Sequence, residues 1–172
     1  MDILLRAARA DDAASITALV NSAYRGDSGR QGWTTESDLL DGTRISLDTV
    51  RELLCASDCT VLVVQAAGRM VGCVELRPDG NRLYVGMLTV SPEAQGQGIG
   101  SRLMDAAGHH ARALGLRSLV MTVISVRHEL IAWYARLGFR PTGETRAFGF
   151  ADESFGIPRM PLEFAVLEKP LD

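Results

Sequence analysis

The stretch Val90-Ser91-Pro92-Glu93-Ala94-Gln95-Gly96-Gln97-Gly98-Ile99-Gly100-Ser101 constrains this chain more than any other. It follows Leu83 to Val90, a strand-like run, and leads into a helical pattern from about Gly98 to Leu114. That helix carries Ile99, Leu103, Ala106, Ala107 and Leu114 inward, with Gly115 in the C-cap position. Glycines at alternate positions, Gly96, Gly98 and Gly100, let the backbone turn tightly and bring successive N–H groups against a ligand with no Cβ in the way. A helix starting there adds unpaired N–H groups and the positive end of its dipole. Strand, loop and helix together form an anion site suited to a pyrophosphate, with the Ser101 hydroxyl as a further donor. Two nucleotide motifs fail on spacing. A Walker loop requires a lysine that the segment lacks. A dinucleotide fingerprint requires its third glycine where Ser101 stands. A plain glycine-rich turn is the bland alternative.

Around this loop the periodicity lays out one α+β domain over residues 1–172. Ile3 to Ala7 reads as an opening strand, and Asp11 or Asp12 caps a helix with Ile16, Leu19, Val20 and Ala23 on one face. A second helix begins near Ser46 and carries Val50, Leu53 and Leu54. Val61–Val64 and Val71–Val74 form strands joined through Ala67-Gly68-Arg69, and Asp79-Gly80-Asn81 makes the next turn. Leu119–Ile124 is almost unbroken apolar, the pattern of a central strand buried on both faces. A short helix from about Glu129 to Leu137 and strands near Phe139–Thr145 and Leu162–Leu167 complete a mostly antiparallel sheet with one helical crossover.

Charge and cysteine usage narrow the function classes. A formal net charge of −3 argues against a nucleic-acid partner held by phosphate neutralisation. No stretch approaches the roughly 18 apolar residues of a membrane span. Cys55, Cys59 and Cys73 form no metal or redox motif, so no metal is expected. Met1–Arg6 has an acid at position two and too short an apolar run for export. The expectation is a cytoplasmic protein with reduced thiols.

The loop resembles the motif of the GNAT superfamily of N-acetyltransferases, Gln/Arg-x-x-Gly-x-Gly/Ala, matched by Gln95, Gly98 and Gly100. Tyr134-Ala135-Arg136-Leu137-Gly138-Phe139 matches a later element of the same family, Tyr-x-x-x-Gly-Phe/Tyr. The two occur in the right order on the right elements, and the likeness runs from the first strand to the last. The resemblance implies a three-layer fold, a mixed, mostly antiparallel and splayed sheet with helices on both faces. It implies acetyl-CoA as co-substrate, its pyrophosphate on the backbone of Gln95, Gly96, Gln97, Gly98, Ile99, Gly100 and Ser101. The pantetheine arm would run along Leu88 and Val90, in a slot between Leu88–Val90 and Thr122–Ile124. Tyr134 is similar to the family's general acid, its alternative being aromatic packing, and the Leu88 or Val90 N–H is the implied oxyanion donor.

The base and the acceptor stay open at this stage. Glu75, an acid on an apolar strand, is the candidate base; a solvent-facing strand end before Pro78 is its alternative. Glu129 reads as a helix cap, and His109 and His110 as surface residues. Where many family members carry an asparagine seven residues before the tyrosine, this chain has Arg127. Arg127 could take an acceptor carboxylate, a cofactor phosphate, or a neighbouring acid. The segments Tyr24–Ile45 and Arg146–Met160 are expected to select the acceptor, with Tyr24, Arg25, Trp33 and Glu36 in the first. The implied partner is a small-molecule or peptide amine, with a homodimer left open. A non-catalytic acyl-CoA-binding sensor is the alternative to an enzyme.

Overall fold

Alternating apolar residues build a seven-stranded sheet in the computed structural model, which describes residues 2–24, 40–41, 45–147, 157–158 and 163–171. In chain order the elements are β1 (Ile3–Ala7), α1 (Ala13–Tyr24), β2 (Leu40–Asp41), α2 (Leu47–Cys55), β3 (Thr60–Ala66), β4 (Arg69–Asp79), β5 (Arg82–Val90), α3 (Ile99–Ala113), β6 (Ser118–Ile124), α4 (His128–Arg136), β7 (Arg140–Ala147), β8 (Ile157–Pro158) and β9 (Glu163–Pro170). The sheet order is β1-β3-β4-β5-β6-β9-β7, with β2 and β8 paired separately. Every neighbouring pair in the large sheet is antiparallel except β5 and β6, the two strands that α3 connects. No helix among the described residues is long and apolar enough to cross a membrane.

Both faces of the sheet are covered, as expected of the α+β reading. Ile16, Leu19 and Val20 of α1 and Val50 of α2 pack with Val61, Val63, Cys73 and Met87 on one face. Ile99, Leu103, Met104, Ala107 and Ala111 of α3 join Val74, Leu76, Leu83, Val85, Met121 and Val123 on the other, with Tyr134 and Phe139. Burying a side chain of Phe139's size contributes about 1.5–3 kcal/mol. One inward position is corrected. Leu114 is 50% exposed because α3 ends at Ala113 and the chain reverses at Gly115, so Leu116 bonds back to Ala111. The strand over residues 119–124 is buried on both faces apart from the half-buried Thr122, the pattern its composition predicts.

The feature that positions the site is a fork between β5 and β6. Their parallel ladder covers only Arg82↔Ser118, Leu83↔Leu119 and Tyr84↔Val120, whereas β6 pairs with β9 along its whole length. The cause lies on the far side of β5. Between the pairs Cys73↔Thr89 and Glu75↔Gly86, β5 has one residue more than β4, a bulge that bends the strand away. Met87 occupies it with φ +55°, a left-handed conformation that side chains rarely adopt. Its carbonyl accepts hydrogen bonds from the Thr89 hydroxyl at 2.9 Å and from the Cys73 thiol at 3.7 Å, both buried. At the closed end, Glu168 of β9 accepts from Ser118 of β6 at 2.7 Å and from Arg82 of β5 at 3.3 Å, tying the three strands together.

A second polar tie fixes β1 to the start of α1. The Arg6 guanidinium grips both oxygens of Asp12 at 2.8 and 3.0 Å, and the Arg9 N–H donates to the same carboxylate at 2.7 Å. Asp12 thus sits in the turn before α1, where its negative charge also faces the helix N-terminus. These contacts, the Arg6 fork first, lower its pKa from 3.8 to about 2. A folded-state value below the unfolded one means stability present at neutral pH and lost as pH falls from about 3.8 towards about 2. Asp12→Asn is therefore expected to cost about 1.5–3 kcal/mol at pH 7. Its gap from the parent protein should narrow in acid, as read by urea unfolding at several pH values. A gap that stayed constant would exclude the pair from the acid response.

Candidate active site

A cavity of about 370 Å³ lies at the fork. Leu88, Thr89 and Val90 of β5 form one wall, and Gln95, Gly96, Gly98, Ile99, Gly100 and Ser101 form the loop and first turn of α3. Gly98 is the N-cap of α3 with φ +79°, and Gly96 has φ +83°. A Cβ at either would meet no protein atom within 4 Å, so both glycines keep their faces open and let the backbone serve as a lining surface. The Gln95 amide turns back to the Val90 carbonyl at 3.3 Å, pinning the loop to the end of β5. Gln97 is exposed and does not line the cavity; the other residues expected in the cradle do. An extended, pyrophosphate-bearing group fits this arrangement. N–H groups at a helix start suit its anion, and the edges of β5 and β6, which diverge beyond Tyr84↔Val120, suit an amide-bearing arm added like a strand.

Helix α4 supplies the opposite wall with Leu130, Trp133, Tyr134 and Arg136. Tyr134 is 5% exposed, edge-on to Trp133 at 5.0 Å and to Phe139 at 5.8 Å between centroids. Trp133 lies over Gly100, where a Cβ would fall 3.1 Å from the indole Cη2. A side chain at the third motif glycine would therefore press on the indole of α4, which would have to give way by a few tenths of an ångström. Leu130, Trp133 and Arg136 were not singled out from the sequence, although their i, i+3, i+6 spacing forms one stripe of α4. Ala23 of α1 also lines the cavity. Since α1 and α3 cover opposite faces, the cavity passes through the sheet at the fork.

On the α1 side, Glu75 sits in the middle of β4 and not at its end, correcting the sequence expectation. Its side chain is 13% exposed, with Oε2 3.8 Å from Arg77 Nη2. Its cross-strand partner is Gly86. A Cβ at Gly86 would lie 2.7 Å from Tyr84 Cε2, 3.0 Å from the Tyr84 hydroxyl and 3.1 Å from Glu75 Oε1. The missing side chain leaves the space at Gly86 to the Tyr84 ring and hydroxyl and to the Glu75 carboxylate, next to the last paired residue before the fork. Arg127 does not line this cavity. It is 2% exposed, is the N-cap of α4, and has Nε 3.9 Å from Glu129 Oε1. Glu129 lies in the first turn and is not the cap. Arg25, Trp33 and Glu36 lie outside the described residues, and Tyr24 ends α1. The two segments expected to select the acceptor do meet, through the pairs Leu40↔Pro158 and Asp41↔Ile157.

The model of the acetyltransferase (GNAT) family matches residues 16–139, a span holding both motifs, the fork and the cavity. The chain belongs to this family. Among curated GNAT relatives, an IAA acetyltransferase of Azospirillum brasilense is 31% identical over 100 residues, covering 57% of this chain and 65% of that protein. An amino-acid acetyltransferase of Ralstonia nicotianae is 33% identical over 101 residues, covering 58% of this chain and 21% of that protein. The chain thus spans less than two thirds of the length of these relatives. Solved GNAT structures share the fold across the whole chain. The ribosomal-protein-S18-alanine N-acetyltransferase of Escherichia coli superposes with a TM-score of 0.73 at 14% identity, covering 99% of this chain and 95% of that one. The PaiA N-acetyltransferase of Thermoplasma acidophilum, solved in complex with coenzyme A, gives 0.70 at 18% identity and 99% coverage of both. The splayed sheet expected from the GNAT resemblance is present as the β5–β6 fork.

Proposed function

We propose that this GNAT chain transfers an acetyl group from acetyl-CoA to a primary amine, either on a small molecule or as an α-amine. The observation that carries this reading is the cavity. It joins the glycine cradle to Tyr134 and continues through the fork to α1, so two reactants can meet from opposite faces of the sheet. Acetyl-CoA supplies the acyl group as a thioester. The amine nitrogen forms the new C–N bond as the C–S bond breaks. The backbone N–H of Leu88 or Val90 faces the developing oxyanion, preorganised by the bulge at Met87. Tyr134 protonates the departing sulfur, and Glu75, directly or through water, takes the proton lost by the amine. Arg77, with Nη2 3.8 Å from Glu75 Oε2, places a positive charge beside that carboxylate.

Free-thiol release from acetyl-CoA across a panel of primary amines and α-amino peptides tests the reading; binding without turnover of any amine would favour an acyl-CoA sensor. Tyr134 on the cavity wall supports the enzyme over the sensor. With an amine found in that panel, Glu75→Gln is expected to lower turnover at neutral pH by roughly 10²–10⁴-fold while leaving coenzyme A affinity unchanged. Full activity in this variant would remove Glu75 from the proton path. The free thiols Cys55, Cys59 and Cys73 support a cytoplasmic setting.

A further inference from the structure

Met87 is held in a left-handed conformation, φ +55°, at the point where β5 bends away from β4. A residue with a side chain disfavours that region, so the conformation persists only where neighbouring contacts impose it. Two buried donors do so. The Thr89 hydroxyl donates to the Met87 carbonyl at 2.9 Å and the Cys73 thiol at 3.7 Å. Thr89 is 2% exposed, Cys73 is fully buried, and the two are cross-strand partners on β5 and β4. A thiol is a weak donor, which makes the hydroxyl the stronger tie. A peptide unit is planar, and in its trans form the N–H points opposite to the carbonyl. The Met87–Leu88 peptide is trans. Its carbonyl is turned to Cys73 of β4, so the Leu88 N–H in the same plane is turned away from β4, to the side on which β5 and β6 part. Leu88 and Thr89 both line the cavity at that point.

We propose that Thr89 is a positioning residue for acetyl transfer: its hydroxyl locks the Met87–Leu88 peptide, and with it the aim of the Leu88 N–H at the thioester carbonyl. The inference rests on the acetyl-CoA reading above and assigns a role to a side chain outside both sequence motifs. A donor aimed beforehand stabilises a developing oxyanion because nothing has to reorient during the reaction. Without the hydroxyl, the buried carbonyl keeps only the weak thiol. The strained Met87 conformation is then free to relax and to swing the Leu88 N–H out of line.

Thr89→Val, which removes the hydroxyl and keeps the branched shape, and Thr89→Ser, which keeps the hydroxyl, test it in the intact chain. The first readout is the infrared carbonyl stretch of bound acetyl-CoA, isotope-labelled at the thioester carbon and free of any amine. A hydrogen bond from Leu88 lowers that stretch, so it should rise in Thr89→Val and return to the parent value in Thr89→Ser. The second is single-turnover transfer to an amine found by thiol release. Thr89→Val is expected to lower this rate by roughly 10- to 100-fold, approaching the 10²–10³-fold of losing an oxyanion donor outright. Thr89→Ser should restore most of it, with coenzyme A affinity parent-like in both variants. An unmoved stretch or a parent-like rate in Thr89→Val overturns the proposal, as does a rate loss that Thr89→Ser shares. A fall in coenzyme A affinity equal to the fall in rate also overturns it, by making Thr89 a packing residue of the binding slot. Should Thr89→Val not fold, Thr89→Ala is read in its place by the same criteria. A parent protein that binds no acetyl-CoA overturns the acetyl-CoA reading itself, an outcome distinct from failure of the Thr89 proposal.

Discussion

Tyr134→Phe is expected to lower turnover by roughly 10²–10⁴-fold, the range that a positioned general acid contributes, with coenzyme A affinity unchanged. Only the hydroxyl oxygen is removed. The ring keeps its edge-on contacts with Trp133 and Phe139 and its place on the cavity wall, so the shape seen by the cofactor is retained. Loss of the hydroxyl's hydrogen bonding should cost no more than about 1 kcal/mol of stability. The decisive measurement is single-turnover acetyl transfer, which isolates the chemical step from product release. Parent-like single-turnover rates in Tyr134→Phe would reduce Tyr134 to an aromatic packing residue. A fall in coenzyme A affinity matching the fall in rate would make it a binding residue.

The parts of this molecule legible in its sequence are those fixed by local chemistry. The loop from Gln95 to Ser101 reads as an anion cradle because glycine spacing and a helix start act over a few residues, and all of these residues but Gln97 line the cavity. Residues 119–124 read as a central strand because burial on both faces leaves no polar alternation. What escaped depends on distant packing. The bulge that opens the fork is occupied by Met87, not glycine, and is held by the Thr89 hydroxyl and the Cys73 thiol, so no turn residue announces it. Arg127 looks like a ligand from its offset to Tyr134. Only the turn that bonds its N–H to the Ile124 carbonyl shows that it is folded inward against Glu129. Arg136 escaped for the opposite reason. It looks like any surface arginine until α4 is seen to lie against the cradle. Leu114 continues the apolar period of α3 by one residue beyond the point where Gly115 ends the helix.

Gly98→Val is expected to abolish coenzyme A binding while leaving a folded protein. The parent chain should gain on the order of 2–3 kcal/mol in apparent stability at a hundredfold excess of coenzyme A over its dissociation constant. The variant should gain nothing at the same concentration. Two effects act together at this position. Gly98 has φ +79°, and a β-branched residue there is strained by about 1–3 kcal/mol. A Cβ at Gly98 meets no protein atom within 4 Å, so the valine methyls would project into the open cradle and keep phosphate oxygens from the N–H groups. The two are separable by experiment. Strain alone lowers the melting temperature of the unliganded variant and leaves the ligand-induced shift intact. Obstruction removes the shift. Gly68, in a turn away from the cavity with φ +75° and equally open space for a Cβ, supplies the control: Gly68→Val bears similar backbone strain and should retain the full response to coenzyme A. A preserved shift in Gly98→Val would move the pyrophosphate away from the start of α3, and with it the role assigned to the whole glycine loop.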